Sequence, residues 1–148
     1  MTFEYNERGH QVYRLLELSA ETGKVRTVVE EKSNTFVNHQ RMYRRFLRGG
    51  NELIWMSERD NYNHLYLYDY ATGSVKNQIT KGPWYVREVL HVDEDARQIY
   101  FTASGMVGGA EDPYLIRYYR TNFDGTGLTC LTPDEGNHSV TFSRDRKY

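Results

Sequence analysis

Apolar and aromatic residues in this chain fall in short runs separated by turn residues, and almost nowhere with a helical period. Val12 to Leu18 is followed by Glu21-Thr22-Gly23-Lys24 and then by Val25 to Glu30. Leu53 to Ser57 precedes a polar loop, Leu65-Tyr66-Leu67-Tyr68-Asp69 follows, and Ala71-Thr72-Gly73-Ser74 leads into Val75 to Thr80. Runs of this length joined by Thr-Gly or Asp-Gly pairs predict antiparallel strands connected by hairpins. About eleven strands are expected, with no amphipathic helix. Trp55, Tyr66, Tyr68, Tyr100, Phe101 and Tyr118 all fall within such runs. Alternation sends Tyr66 and Tyr68 to one face of their strand and Leu65 and Leu67 to the other, so both faces are apolar and a sheet packed on both sides is predicted.

The spacing of these runs repeats. Gly23 and Gly73 are 50 residues apart, Thr80 and Thr132 are 52 apart, and Ile54-Trp55-Met56-Ser57 matches Ile99-Tyr100-Phe101-Thr102 at 45. A repeat of about fifty residues with four strands in each unit predicts β-propeller blades. The fold class expected is therefore all-β, a partial propeller of four-stranded antiparallel blades comprising two full blades and two partial ones. Residues 1–31 are read as the end of one blade, supplying its last two strands. Residues 34–82 and 84–133 are read as full blades, and 138–148 as the start of another, with Ser139 to Phe142 as its opening strand. A propeller closes with four to eight blades, so this arc reads as a piece of a larger protein, with exposed end faces that favour self-association.

Composition narrows the function classes. Nineteen Lys and Arg against twenty Asp and Glu give a net charge of −1, without the basic excess of a nucleic-acid or membrane-surface binder. No apolar stretch is long enough to span a bilayer as a helix. Aromatic residues reach 14%, which suits half-buried pleated surfaces. Cys130 is the only cysteine, so no internal disulfide forms, and the polar start at Met1-Thr2-Phe3-Glu4 is unlike a signal peptide.

Several residue groups invite chemistry. His91, Asp93, Glu94 and Asp95 set an imidazole near three carboxylates; strand alternation allows His91 and Asp93 one side, but two ligands are fewer than a catalytic zinc requires. This group is read as a strand ending in an acidic turn, and no metal is expected. Gly105-Met106-Val107-Gly108-Gly109-Ala110 lacks the Lys-Ser or Lys-Thr of a phosphate-binding loop and reads as the connection between two middle strands of a blade; no cofactor is expected. Arg59, Asp60, Asn63 and His64 lie between strand ends, with Asp60 and Asn63 read as turn formers bonding the local backbone. Asn137-His138-Ser139 is a formal glycosylation sequon that matters only in a glycosylating host.

Glu52 to Gly82, Arg97 to Ala103, Asp112-Pro113-Tyr114 and the segment from Asn122 to Tyr148 resemble the N-terminal β-propeller of bacterial dipeptidyl peptidase IV-like enzymes of the prolyl oligopeptidase family. The resemblance runs from Phe3-Glu4-Tyr5 onward and is most specific in Ser57-Glu58-Arg59-Asp60 and Asn63-His64-Leu65-Tyr66-Leu67-Tyr68-Asp69. It implies later blades of an eight-bladed propeller that caps an α/β-hydrolase domain with a Ser-His-Asp triad. It also implies a periplasmic or cell-envelope parent that removes N-terminal dipeptides after a penultimate Pro or Ala. The partners implied are that hydrolase domain of the same parent chain and peptide substrates.

None of the triad is expected here, because no serine sits in a Gly-x-Ser-x-Gly elbow. The family holds the substrate's amine with two acidic residues, but these belong to an earlier blade, so Glu30-Glu31 is read instead as a solvated strand end. Asn38-His39-Gln40 stands where animal relatives place a Phe-Arg pair near substrate, and this departure transfers no contact. TolB-like periplasmic scaffold propellers share similar repeats, and are the alternative, but with shorter and more uniform spacing than the 45 to 52 seen here.

Overall fold

The computed structural model describes residues 1–39, 42–107 and 112–143. Among these are eleven strands: β1 (Thr2–Asn6), β2 (Val12–Leu18), β3 (Val25–Lys32), β4 (Arg44–Phe46), β5 (Glu52–Ser57), β6 (His64–Asp69), β7 (Ser74–Gln78), β8 (Tyr85–Asp93), β9 (Gln98–Ser104), β10 (Arg117–Asn122) and β11 (Thr129–Cys130). They form three antiparallel sheets, β1-β2-β3, β4-β5-β6-β7 and β8-β9-β10-β11, each a meander of sequence neighbours. This is a partial propeller of stacked blades.

The middle blade shows why the sequence has to fold this way. Register pairs Leu53 with Tyr68 and Trp55 with Tyr66 on one face, and Ile54 with Leu67 and Met56 with Leu65 on the other. The first four residues pack with Tyr13, Leu15, Val28 and Val29 of the first blade. The second four pack with Trp84, Val86, Ile99, Phe101 and Tyr119 of the third. Trp55, Leu53, Ile54 and Leu65 are all 0% exposed. Each such side chain contributes about 1.5–3 kcal/mol on burial, so each of the two interfaces rests on apolar contact that one blade cannot supply alone.

The structure departs from the sequence reading at both ends. The first blade has three strands rather than two: Thr2–Asn6 pairs along β2 from Thr2↔Glu17 to Asn6↔Tyr13. Its short alternation of Phe3 and Tyr5 with polar residues is weak as a pattern, and tertiary pairing with β2 makes it a strand. At the other end, residues 139–143 carry no strand, and Arg144 to Tyr148 lie outside the described residues. Phe142 lies edge-on against Tyr100, with ring centroids 6.0 Å apart. The glycine-containing connection from 105 to 116 joins β9 to β10, the two middle strands of its sheet; Gly108, Gly109 and Ala110 are outside the described residues.

Polar ties lock the blades where their hairpins meet. Arg26 on β3 donates to the carbonyls of Tyr70 and Ala71 at 2.9 and 3.0 Å, and Tyr70 donates its hydroxyl to Glu17 at 2.7 Å. Between the second and third blades, Glu94 accepts from the Arg45 side chain at 2.9 Å and from the Arg48 backbone N–H at 2.6 Å. Glu52 accepts from Arg97 of the third blade at 2.7 Å and from Lys76 of its own at 2.6 Å. The Arg97 hydrogen bond outweighs partial burial and, with Lys76, draws the Glu52 carboxyl down from 4.5 to about 2.

Two expectations follow from these ties. A group whose folded pKa is depressed stabilises above its unfolded value, and that stability is lost as pH falls through the folded value. Glu52 therefore stabilises fully above about pH 4.5 and loses its contribution between there and about pH 2. After screening at the half-exposed Arg97, this amounts to about 1–2 kcal/mol. Glu52→Gln should lower stability at pH 7 and flatten this acid limb in urea unfolding at stepped pH; an unchanged acid limb would contradict the assignment. Secondly, Gly73 has φ 71°, and a Cβ there would lie 2.8 Å from the Val28 carbonyl oxygen. Gly73→Ala should cost about 2 kcal/mol, roughly twice the left-handed backbone penalty alone. Gly49→Ala, at φ 85° in open space, provides that comparison in the same denaturant titration.

Candidate functional site

The β3–β4 connection, the β5–β6 loop, the start of β8 and the β9–β10 connection converge at one end of the blades. They enclose an open cleft of about 1340 Å³. Its wall includes Glu31, Arg59, Arg87, Tyr85, Tyr114 and Tyr118, a mixture of charge and aromatic surface.

Glu31 anchors this wall. Position 31 faces the middle blade because β3 pairs Tyr13 with Glu31, carrying it on the same side as Leu15 and Val29. There the buried indole of Trp55 needs an acceptor, and Glu31 Oε1 takes its Nε1–H at 2.7 Å. Glu31 Oε2 accepts from the Ser57 hydroxyl at 2.8 Å, and Oε1 also accepts from Arg59 at 2.5 Å. The carboxylate is 4% exposed, so the reading of Glu31 as a solvated strand end is corrected. Burial costs a lone carboxylate heavily, and only charge-assisted donors from three side chains offset that cost. Its neighbour Glu30 does lie at the surface, paired with Arg14 at 2.5 Å and Lys32 at 2.7 Å.

Arg59 carries the arrangement from the blade interface to the cleft. Its Nε donates to Ser57 at 2.9 Å, and its guanidinium lies 4.6 Å from the Tyr66 ring centroid and 5.5 Å from that of Tyr68. Burial works against the charge on Arg59, and the adjoining Glu31 carboxylate more than compensates, so its proton is held more tightly than usual. Burial likewise raises the Tyr68 phenol, with Arg59 opposing. The result is a guanidinium held between the Glu31 carboxylate and two tyrosine rings, with its side chain still 29% exposed at the cleft.

The other residues of the motif part ways. Asp60 behaves as a turn former, accepting from the Tyr62 N–H at 3.4 Å, and it also accepts from Gln78 at 2.6 Å. Asn63 does not bond its local backbone: it donates to the Val86 carbonyl at 2.8 Å, while Val86 N–H returns to the Asn63 carbonyl at 2.8 Å. It therefore joins the second blade to the third. His64 is 0% exposed within β6, with Nδ1 3.0 Å from the Thr80 hydroxyl, Nε2 3.0 Å from the Gly82 carbonyl and Trp84 edge-on at 4.8 Å.

The remaining candidates are dispersed. His91 and Asp93 lie in β8, whereas Glu94 and Asp95 turn to Arg45 and Arg48. Among the described residues no group of three or more His, Cys, Asp or Glu could hold a metal ion. His39 stacks on His10 at 5.4 Å and on Tyr13 at 5.9 Å; Gln40 is outside the described residues. Asn137 lines the cleft and accepts from the Ile116 N–H at 3.0 Å. The role of Glu31 had one signal in the sequence, a carboxylate in phase with apolar positions of its strand.

Stacked three- and four-stranded antiparallel meanders with a polar cleft at their loop end define a β-propeller segment. The chain belongs to the dipeptidyl peptidase IV N-terminal region family, whose model matches residues 1–148. It is 29% identical over 104 residues to dipeptidyl peptidase 4 of Arthroderma otae, covering 69% of this chain and 13% of that protein. The crystal structure of Porphyromonas gingivalis dipeptidyl peptidase 4 has the same fold, with a TM-score of 0.77 at 21% identity over 96% of this chain and 19% of that one. A Bacteroides ovatus protein assigned as a dipeptidyl aminopeptidase IV aligns with a TM-score of 0.74 at 26% identity, over 99% of this chain and 23% of the other. The chain thus spans less than a quarter of each of these relatives.

Coupling between Glu31 and Arg59 is directly measurable. Glu31→Ala should destabilise by about 3–5 kcal/mol, since it strands the Trp55 and Ser57 donors and an uncompensated guanidinium. In a double-mutant cycle of Glu31→Gln with Arg59→Met, read by urea unfolding, a coupling of about 1–3 kcal/mol is expected. Additive losses would mean that the two side chains do not act as a pair.

Proposed function

We propose that this chain is a non-catalytic propeller segment of a dipeptidyl peptidase IV-like serine exopeptidase, forming part of the wall and entrance through which peptides reach a hydrolase domain. The observation that carries the reading is the cleft at the loop end, where an arginine held by a buried carboxylate stands among exposed and half-buried tyrosines and asparagines. Family membership over the whole chain supports it. So does the sequence, whose serines at 19, 33, 57, 74, 104, 139 and 143 all lack a nucleophile elbow.

In this reading the chemistry belongs to the complete enzyme. A serine activated by His and Asp attacks the bond after a penultimate Pro or Ala, releasing an N-terminal dipeptide. The α/β-hydrolase domain of the same parent is the segment's partner, and peptides are what pass along its wall. By itself the segment self-associates through faces that further blades would cover.

The test has two arms. The purified chain should release no chromophore from Gly-Pro or Ala-Pro p-nitroanilide; turnover abolished by a serine-directed inhibitor would overturn the non-catalytic role. In the complete parent, Asn34→Trp on the cleft wall should lower kcat/KM several-fold for a longer peptide and much less for the dipeptide chromogen. Equal effects on both would overturn the entrance role.

A further inference from the structure

The β5–β6 loop is tied to both neighbouring blades. Arg59 reaches Glu31 of the first blade at 2.5 Å, while Asn63 exchanges two hydrogen bonds of 2.8 Å with Val86 of the third. Between these anchors the Asn61 N–H closes a turn on the Glu58 carbonyl at 3.0 Å. The loop therefore belongs to the interior of the arc, and the cleft surface it presents does not arise at either end of the chain. Two polar groups on it are left without protein partners. A guanidinium has five N–H donors. Arg59 spends three: Nε on Ser57 at 2.9 Å, and Nη2 on Glu31 and on the Tyr68 hydroxyl, each at 2.5 Å. The pair on Nη1 finds no acceptor among the described residues, on a side chain that lines the cleft and is 29% exposed. Two residues on, Asn61 has φ 72°, a conformation that asparagine takes more readily than most side chains. Asn61 lines the cleft as an exposed residue, and its side-chain amide makes no hydrogen bond among the described residues.

Charge does not favour one kind of ligand side chain over another at this wall. It sets Glu31, Glu58 and Glu88 against Lys32, Arg59 and Arg87, and the Arg59 charge is already met by the buried Glu31 carboxylate. An incoming carboxylate would meet an ion pair rather than a lone cation. What the loop still offers is hydrogen bonding to neutral groups: donors at Nη1, and both donors and an acceptor on the Asn61 amide. A peptide main chain supplies their complement, a carbonyl oxygen at every residue and an N–H at every residue but proline.

We propose that the β5–β6 loop binds the main chain of a peptide lying in the cleft, with Arg59 Nη1 donating to a carbonyl oxygen and the Asn61 amide pairing with a peptide group. Peptides are then held at this wall by their backbone rather than by side-chain identity. This rests on the entrance reading given above and names what the wall recognises. The Glu31 carboxylate and the Tyr66 and Tyr68 rings hold the guanidinium before a peptide arrives, so little conformational freedom is lost on binding.

Thioamide scanning of substrates with the complete parent enzyme tests this. In a pentapeptide beginning Ala-Pro, each carbonyl beyond the dipeptide is replaced in turn by C=S, a weaker acceptor. One replacement should lower kcat/KM about tenfold, mainly through KM, and the others much less. Arg59→Met in a Glu31→Gln background, where no buried carboxylate is left unpaired, should erase that position's sensitivity, whereas Glu31→Gln alone, which retains the guanidinium, should keep it. Asn61→Gly keeps the positive φ and removes the amide; it should raise KM for the unmodified pentapeptide several-fold, and much less for the dipeptide chromogen. Circular dichroism confirms that each variant retains the sheet. Pentapeptides with Ala, Glu or Lys at the third residue should differ by less than about threefold; a strong preference for Glu that salt removes would overturn main-chain recognition in favour of a charged side chain. Asn34→Trp separates the two readings. Should it act equally on pentapeptide and dipeptide, the entrance role fails and this one with it. Should it act on the pentapeptide while no thioamide position is sensitive, or while the sensitivity survives loss of Arg59, the main-chain assignment alone fails.

Discussion

The fold depends on the burial of both faces of each blade by its neighbours. In the middle sheet Trp55 and Tyr66 cross-pair on one side while Met56 and Leu65 cross-pair on the other, and neither side meets water. A sheet of this kind has no solvent face and no core of its own, so stability resides in the contacts between blades. The polar ties at the hairpins follow from the same constraint. Once two apolar faces are pressed together, their rims bring charged side chains within reach of the neighbouring turn, and Arg26, Glu52 and Glu94 each bridge two blades there.

The same pressure explains the buried carboxylate. A tryptophan in an apolar interface brings an N–H that must be satisfied, and Glu31 meets it from the blade before. The charge so introduced demands compensation, which Arg59 supplies from the β5–β6 loop. Because Arg59 also borders the cleft, the packing between the first two blades fixes the position of a cleft-wall cation. Blade stacking and site geometry are therefore one problem, and disturbance at Trp55 would be transmitted to the cleft through a chain of three side chains.

Periodicity alone made much legible. Strands Val12–Leu18 and Glu52–Ser57 stand where alternating apolar runs put them, and the split of Leu65 and Leu67 from Tyr66 and Tyr68 follows from the two-residue period of a strand. The fifty-residue repeat marked the sheets as blades because each unit carries the same hairpin signals. Partners across blades were a different matter. Asn63 looks like a turn residue, yet bonds Val86 in the next blade, and Thr2–Asn6 carries too weak an alternation to declare itself a strand. Glu31 looked solvated since carboxylates at strand ends usually are, and what buries it is a tryptophan 24 residues away. Local sequence determines backbone period and turn chemistry, which act over a few residues. Desolvation and hydrogen-bond pairing depend on what another blade brings to the same point in space, and only the tertiary structure decides that.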